Sequence, residues 1–199
     1  PVRERSIENL SDLMQRTLDA TGYSEVSLVS LSTCDYSKVR TMVEEMVDVA
    51  RPQHVQVSLP SLRLDSFSVE LADMVAETRR SGLTFAPEAG TQRLRDIVNK
   101  GLTDAELLRG IRTAMQSGYR KIKLYFMIGL PGETDADVLG IADTCRNLQR
   151  NCTDLGRLEL NLTISNFTPK PHTPFQWHSV STAEFKRRQE LLRTALRQL

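Results

Sequence analysis

The residues best suited to chemistry stand where predicted strands end. Glu88 follows one buried run and lies beside Gly90, just before a helix. Its carboxylate could bind a ribose diol or an ammonium group, and it could equally cap the helix through the helix dipole. Lys100 lies at the end of that helix, where a cation is favourable without any further function. Because ligands of parallel α/β proteins bind at the carboxyl ends of strands, the pattern indicates a small-molecule site.

A tight turn, Gly129-Leu-Pro-Gly132, ends another predicted strand. Pro131 sets φ for position i+1 of a type II turn, and Gly132 supplies the positive φ that position i+2 requires. Gly129 has no Cβ, so a ligand could approach its backbone closely. The turn therefore predicts one wall of a ligand site, although an ordinary strand-to-helix connection would use the same residues.

Polar side chains follow three further predicted strands. The first strand is followed by a loop that runs from Ser32 to Asp35, and the second by Ser58. The fifth leads into Phe167 and Thr168, ahead of a loop with three prolines. These residues join Glu88 and the glycine turn as candidates for one site at the strand ends.

Other chemically capable residues give no such pattern. Cys34, Cys145 and Cys152 are scattered and have no metal-ligand spacing, so a reduced, cytoplasmic protein is expected. His172, in the proline-spaced loop, is expected on the surface, and Trp177 is expected to pack. The sequence contains no phosphate-binding loop, no dinucleotide-binding glycine motif and no assignable catalytic triad, so no catalytic residue and no metal ligand is predicted.

The bulk properties are those of one globular domain. The chain has 199 residues and a formal net charge of +1, which gives no sign of nonspecific binding to nucleic acid or to a membrane surface. It has neither a signal peptide nor an apolar run of membrane-spanning length. The first residue is Pro1 rather than Met, so we expect an excised piece of a longer protein.

Helices alternate with strands throughout the chain. Gly22, Gly82 and Gly118 each follow a predicted helix and precede a strand, as left-handed helix stops do. The pattern predicts a parallel sheet with right-handed crossovers, in either a partly closed barrel or a flat doubly wound sheet. The predicted helices are 6–20, 37–50, 68–80, 103–117, 135–150 and 182–199, and the predicted strands are 26–31, 54–59, 84–87, 121–128 and 158–165.

Four stretches together resemble the radical S-adenosylmethionine (SAM) superfamily, and most closely its uncharacterised bacterial proteins that are often joined to a cobalamin-binding-like domain. The resemblance implies an α/β fold, a partial (β/α)6 TIM-like barrel of parallel strands with the first strand missing. The chain would be a single truncated core domain, with barrel units over 1–165 and an extended proline-rich loop and helix over 166–199. The stretches are Ser30–Ser37, Ala86–Arg95 with Val98–Gly101, Phe126–Thr134, and Thr168–Trp177.

The resemblance also implies where SAM would bind. The Ser32–Asp35 loop would meet its amino group, and Ser58 belongs to the same candidate set. Glu88 would contact the ribose, and Lys100 would lie near the carboxylate. The contacts to the adenine would come from Gly129, Pro131 and Gly132, and the same cavity would be lined by Phe167 and Thr168.

One departure from the family pattern is large. The Cys-x-x-x-Cys-x-x-Cys motif that holds a [4Fe–4S] cluster in the superfamily is absent. In relatives this loop lies just before a segment like Pro1–Ser6, so the cluster ligands are expected upstream and this chain alone is expected to be inactive.

The implied reaction is the reductive cleavage of SAM to a 5′-deoxyadenosyl radical, with electrons from a donor such as flavodoxin or ferredoxin and with cobalamin as an additional cofactor. Two alternatives stay open: a cluster-free module that binds SAM or a nucleotide, and a TIM-like enzyme that uses Glu88 as a general base with Lys123 or Lys100. The substrate does not follow from the fold.

Overall fold

The structure is a computed structural model that describes residues 3–30, 33–58, 74 and 83–198. The chain divides into two compact units, Pro1–Ser81 and Gly82–Leu199. Ser32, most of the helix predicted over 68–80 and the end residues of the first two predicted strands lie outside the described residues.

The described residues of the first unit form two parallel strands and two α-helices. Ser6 caps the first helix by accepting a hydrogen bond from Asn9 N, and Gly22 ends it in the left-handed conformation, as predicted. The strands are only three residues long, shorter than the predicted ones, and pair in register from Glu25 with Gln56 to Ser27 with Ser58. The elements are α1 (Ile7–Thr21), β1 (Glu25–Ser27), α2 (Val39–Ala50) and β2 (Gln56–Ser58).

The second unit contains three parallel strands in the order β3-β4-β5. The observed helix Asp135–Arg150 matches the predicted helix at both ends, and the observed strand Lys121–Ile128 matches the predicted strand 121–128. The elements are β3 (Leu83–Glu88), α3 (Gln92–Ile97), α4 (Asp104–Gln116), β4 (Lys121–Ile128), α5 (Asp135–Arg150), β5 (Glu159–Asn166) and α6 (Thr182–Leu196).

The alternation of helices with parallel strands confirms the predicted mixed α/β class. Parallel neighbours need a crossover, and here each crossover between paired strands contains a helix. The described strands form two small sheets, and the closure of a partial barrel stays a prediction. None of the helices in the described ranges is both long and apolar enough to cross a membrane.

The central strand β4 shows why this sheet is stable. Its even-numbered residues are at most 1% exposed, while the side chains between them are half-buried or exposed. Burial of one large aliphatic or aromatic side chain contributes about 1.5–3 kcal/mol, so this strand anchors the unit. The buried residues are Ile122, Leu124, Phe126 and Ile128.

Two glycines let the loop after β3 lie directly on α5. A Cβ on Gly90 would lie 2.4 Å from both Asp137 O and Ile141 N, and a Cβ on Gly140 would lie 2.6 Å from Thr91 Cγ2. The Thr144 hydroxyl donates to Gly90 O at 3.0 Å across the same contact. The loop that follows Glu88 is therefore packed so closely against α5 that neither Gly90 nor Gly140 has room for a side chain.

Substitution Gly90→Ala is expected to lower the free energy of unfolding by about 3 kcal/mol, because overpacking costs about 1–3 kcal/mol and the atoms in the way are backbone atoms. Urea unfolding followed by circular dichroism measures the loss. Gly101→Ala is the matched control, since nothing lies within 4 Å of its added Cβ and only the positive φ of 62° opposes it. That strain costs about 1–2 kcal/mol, and equal losses in the two variants would contradict the close-packing explanation.

Candidate SAM site

Glu88 stands at an irregularity in β3. Phe85 pairs with Leu124 and Glu88 pairs with Phe126, so three steps along β3 match two steps along β4, which is a β-bulge. Glu88 itself has φ 69°, a left-handed conformation that costs a residue with a Cβ about 1–3 kcal/mol. Bulges redirect side chains and are common beside active sites. The backbone therefore takes Glu88 out of the regular alternation of the strand.

The redirected carboxylate meets Lys100. Lys100 Nζ lies 3.1 Å from Glu88 Oε1, and the two side chains are 32% and 26% exposed. Glu88 does not make the capping hydrogen bond of α3, because the Thr91 hydroxyl makes it by accepting from Leu94 N, and an interaction of Glu88 with the helix dipole stays a prediction. The family resemblance gave Glu88 and Lys100 separate contacts on SAM, and only the general-base alternative placed a lysine beside Glu88. The geometric condition of the general-base alternative, a lysine beside Glu88, is also met.

Lys100 is presented by a tightly bent segment after α3. Asn99 and Gly101 on either side both have positive φ, 54° and 62°. Lys100 N donates to Arg95 O at 2.9 Å, so the backbone folds back on the helix end. The position of the ammonium group is thus fixed by two left-handed residues and a backbone hydrogen bond.

Arg95 joins the two segments that carry this ion pair. Its side chain is fully buried, with Nη1 donating to Ala89 O at 3.0 Å and Nε donating to Leu102 O at 3.0 Å. Nη2 completes the set with an ion pair to Asp104. A buried guanidinium needs this satisfaction, because an uncompensated buried charge is costly. Arg95 therefore holds the residue after Glu88 close to the segment after Lys100.

The glycine turn has the predicted conformation. Glu133 N donates to Leu130 O at 3.0 Å, which closes the turn with Pro131 at i+1, and Gly132 has φ 75° at i+2. Gly129 N donates to Glu133 Oε2 at 2.6 Å. Glu133 therefore stabilises the turn twice, with its backbone N–H as a donor and with its carboxylate as an acceptor. The sequence analysis did not single out this residue.

Glu133 is a buried carboxylate held by the last helix. Arg188 Nη1 of α6 donates to Glu133 Oε2 at 2.6 Å, and the two side chains are 14% and 1% exposed. Burial raises the pKa of Glu133, and the hydrogen bonds from Gly129 and Arg188 oppose that rise only in part. The pair links residues 55 positions apart, and nothing local in the sequence indicates it.

The space beside Gly129 is taken by the protein itself. A Cβ there would lie 2.0 Å from Phe185 Cε1 of α6, so the absence of a side chain admits an internal aromatic ring. Gly132 is more open, since its nearest neighbour would be Ile97 Cδ1 at 3.5 Å. The adenine contact of this turn stays a prediction, and Gly132 rather than Gly129 is the glycine with room for it.

Asp137 binds the turn to the loop after β3. Its side chain accepts from Thr134 N at 2.8 Å, from the hydroxyls of Thr134 and Thr91, and from Arg93. Arg93 also donates to Gly132 O at 2.9 Å. Burial alone would raise the pKa of Asp137, but these four donors outweigh it and hold the pKa well below its usual range. Thr134 and Asp137 are spaced as a Ser/Thr-x-x-acid capping pattern, which predicts their pairing from the sequence, and the structure confirms this capping box and extends it to the neighbouring loop.

Phe167 lies at the same sheet edge. Its N–H donates to Ile128 O at 2.8 Å, and the ring packs against the cluster of Ala89, Leu94 and Leu130. Phe175 approaches it edge-on, with ring centroids 6.3 Å apart. The cofactor contacts of Phe167 and of the neighbouring exposed Thr168 stay predictions.

The proline-spaced loop after Thr168 is only partly packed. The prediction that Trp177 packs is wrong, because its side chain is 89% exposed. His172 is on the surface, as predicted.

The candidates in the first unit also stand at strand ends. Asp35 ends a short 3-10 helix, is exposed, and lines a cavity of ≈ 580 Å³ with residues of α1, β1 and α2. Ser58 is the last residue of β2, and its carbonyl accepts from Leu28 N at 3.0 Å. Their contacts to a cofactor stay predictions, as does the contact of Ser32.

Comparison with known proteins identifies the family of this chain. A family model described as the radical SAM superfamily matches residues 1–145, a span that includes Glu88, Lys100 and the glycine turn. The chain belongs to the radical SAM superfamily. The resemblance to this superfamily, which four stretches of the sequence indicate, is thereby confirmed.

Two curated relatives are similar to this radical SAM protein. An uncharacterized protein of Methanocaldococcus jannaschii is 28% identical over 176 residues, which are 88% of this chain and 37% of that protein. The cytidylyl-2-hydroxyethylphosphonate methyltransferase of Streptomyces wedmorensis is 28% identical over 132 residues, 65% of this chain and 24% of that enzyme. The chain thus spans well under half the length of each of these relatives.

Radical SAM proteins in general use SAM and a [4Fe–4S] cluster, and the two cofactors require different residues. The Glu88 carboxylate can accept hydrogen bonds and the adjacent Lys100 ammonium can donate them, and both side chains are partly exposed. By contrast, no group of three metal-ligating side chains occurs in the described ranges. Cys145 and Cys152 are buried, and burial raises the pKa of the Cys145 thiol to about 12, whereas a cluster ligand must be a thiolate. The residues that the structure describes therefore contain no set of side chains suited to a cluster.

Substitution Asp137→Asn is expected to lower the free energy of unfolding by about 2–4 kcal/mol near neutral pH, because it removes the buried charge that Arg93 pairs with and replaces one of the two acceptor oxygens by an NH2 donor. Asp143→Asn, on the same helix, is the control, since its ion pair with Arg146 is exposed and worth at most about 1 kcal/mol. Urea unfolding at a series of pH values measures both.

The same pair of proteins tests the pKa of Asp137. A carboxyl group whose pKa is lower in the folded state stabilises the fold above its unfolded pKa of about 3.9, and this contribution is lost as the pH falls toward the folded pKa. The stability difference between wild type and Asp137→Asn should therefore shrink from pH 6 to pH 2, in the range below about pH 4. A difference that is independent of pH would contradict the network, and Glu133 does not obscure the comparison because both proteins contain it.

Proposed function

We propose that the complete protein is a radical SAM enzyme and that the end of its second sheet binds SAM. The observation that carries the proposal is the Glu88–Lys100 pair, held by a bulge and two left-handed residues within the span that the family model matches. Backbone strain of this kind persists where the surrounding structure enforces it, and it concentrates at ligand sites.

The pair has the chemistry that SAM requires. A carboxylate accepts hydrogen bonds from two neighbouring hydroxyl groups, so Glu88 would hold the ribose diol. An ammonium group donates to a carboxylate, so Lys100 would hold the amino-acid end of the cofactor. When bound and reduced by one electron, SAM supplies a 5′-deoxyadenosyl radical that abstracts hydrogen from a substrate. This chain supplies binding, orientation and exclusion of water.

The exposure of the pair favours exchange with a ligand. Both side chains are about one quarter to one third exposed, and ion pairs in such positions contribute at most about 1 kcal/mol. Replacing the Lys100 contact by a ribose contact would therefore cost Glu88 little. Arg95 and Asp137 lie behind the site and keep the loops in place while the ion pair opens.

In our proposal the cluster belongs to a part of the protein outside these 199 residues, because the three cysteines of the sequence lack the Cys-x-x-x-Cys-x-x-Cys spacing. The electron donor, flavodoxin or ferredoxin, and a cobalamin requirement stay predictions. The name of the Streptomyces relative describes methyl transfer, so methylated products are one reaction outcome to look for. The alternative function is a cluster-free module that binds SAM or a nucleotide.

Substitution Glu88→Gln is expected to weaken SAM binding by about tenfold or more, because a hydrogen bond to a charged group is worth about 1.5–3 kcal/mol. Equilibrium dialysis of the chain with labelled SAM measures the affinity. Glu159→Gln is the matched control, since Glu159 pairs with Lys121 at the amino end of the strands. If Glu88→Gln loses stability but binds SAM as wild type does, the ion pair is only structural and the proposed site is wrong.

The complete gene product separates the enzyme from the binding module. We expect it to contain about four iron atoms per chain after anaerobic reconstitution, as one cubane cluster requires, and to form 5′-deoxyadenosine and methionine with a reductant. A product that binds SAM without iron supports the module instead. A product that neither binds iron nor cleaves SAM, with Glu88 intact and folded, contradicts the radical SAM proposal.

A further inference from the structure

The second sheet has a polar face opposite its buried one. On β4 the buried side chains alternate with Lys123 and Tyr125, so these two residues lie on the other face. The strands pair in register, with Thr84 and Asn161 beside Lys123 and with Thr163 beside Tyr125. Side chains of paired residues in a parallel sheet stand side by side, so these five residues form one polar row across three strands. We call these five residues the polar row.

Lys123 is the cation of this row, and its surroundings differ from those of neighbouring lysines. Its ammonium lies 5.0 Å from the centroid of the Tyr125 ring, a cation–π contact. Lys121, one step back on the same face, lies 4.0 Å from a carboxylate of Glu159, and Lys100 has Glu88 at 3.1 Å. Among the described residues, Lys123 makes no ion pair with a carboxylate, although it is half-buried.

The other members of the row are hydrogen-bonding groups without partners. The side chains of Thr84, Asn161 and Thr163 make no hydrogen bond within the described part of the chain, and the row contains no acidic residue. Two hydroxyls and an amide therefore share the polar row with one half-buried ammonium. All of these groups can donate hydrogen bonds, and a set of donors around a cation complements an anion rich in acceptor oxygens.

Lys123 lies far enough along the strand from the level of Glu88 for a substrate to bind there beside the cofactor. Glu88 pairs with Phe126, three residues along β4 from Lys123, which corresponds to about 10 Å along the strand. The strand position of Lys123 is therefore separate from that of Glu88, so a group bound at Lys123 would replace neither partner of the Glu88–Lys100 pair. We propose that the polar row binds an oxyanion of the substrate, a carboxylate or a phosphate-type group, with Lys123 as its principal contact. This inference rests on the proposed function and names the substrate class.

The test uses the 199-residue chain and two probe anions. Lysine side chains labelled with ¹³C at Cε are observed by NMR while inorganic phosphate or acetate is added, with sodium chloride holding the ionic strength constant because screening alone shifts surface charges. We expect a saturable shift of the Lys123 signal. Preference for phosphate identifies a phosphate-type substrate, and preference for acetate identifies a carboxylate, and either supports the proposal.

Substitutions assign the effect to Lys123. Lys123→Gln should weaken anion binding, followed on the Thr163 methyl signal, by about tenfold, as expected for loss of a charge-assisted contact. Lys123→Arg should retain most of the binding, and Lys121→Met, on the same face, should leave it unchanged. Circular dichroism verifies that each variant is folded.

Two results overturn the inference: no saturable shift of Lys123 with either anion, or equal anion affinity in wild type and Lys123→Gln. The result is independent of the proposed SAM site, because Glu88→Gln should keep anion binding. A chain that binds the anion at Lys123 but does not bind SAM would support the anion site at the polar row, but it would refute the proposed function and with it the assignment of that anion to a substrate of a radical SAM reaction. A chain that binds SAM but shows no saturable shift of Lys123 with either anion would support the proposed function and overturn this inference.

Discussion

A single buried carboxylate, Asp137, holds together the two loops on which the candidate site depends. It takes hydrogen bonds from the start of its own helix through Thr134 and from the loop after β3 through Thr91 and Arg93. A carboxylate that is 2% exposed is stable only when its oxygens are satisfied, so each donor fixes a piece of backbone to the same point. Two loops from separate strands thus become one rigid edge.

This rigidity makes the strain at Glu88 possible. A left-handed residue with a side chain would relax if the chain on either side were loose. Here Gly90 is pressed against α5, and Arg95 binds Ala89 on one side and Leu102 on the other. The bulge therefore persists, and the carboxylate of Glu88 stays directed at Lys100. The fold contributes to binding by keeping this carboxylate and ammonium in place before a ligand arrives.

The sequence predicted the features that short-range geometry controls. The Pro131–Gly132 turn and the pairing of Thr134 with Asp137 each depend on residues within four positions, so residue types alone indicate them. The pairing of Glu88 with Lys100 depends on a bulge set by the register with β4, which no local pattern encodes. The bond from Arg188 to Glu133 and the ring of Phe185 against Gly129 depend on where α6 packs. Sequence reasoning therefore identified residues of the site but missed the contacts between segments that are distant in sequence. It also predicted that Trp177 packs, although this residue lies on the surface.

The lysines of the second sheet indicate how one surface could serve two ligands. Lys100 and Lys121 already face carboxylates, so an incoming anion must compete with an internal partner for either of them. Lys123 faces a tyrosine ring and neutral donors, so an anion there gains a full ionic contact and displaces none among the described groups. Specificity is a difference between affinities, and it increases where the wrong position is already satisfied. The existing ion pairs would then direct a substrate anion away from the end of the sheet and toward the polar row, leaving Glu88 and Lys100 for the cofactor.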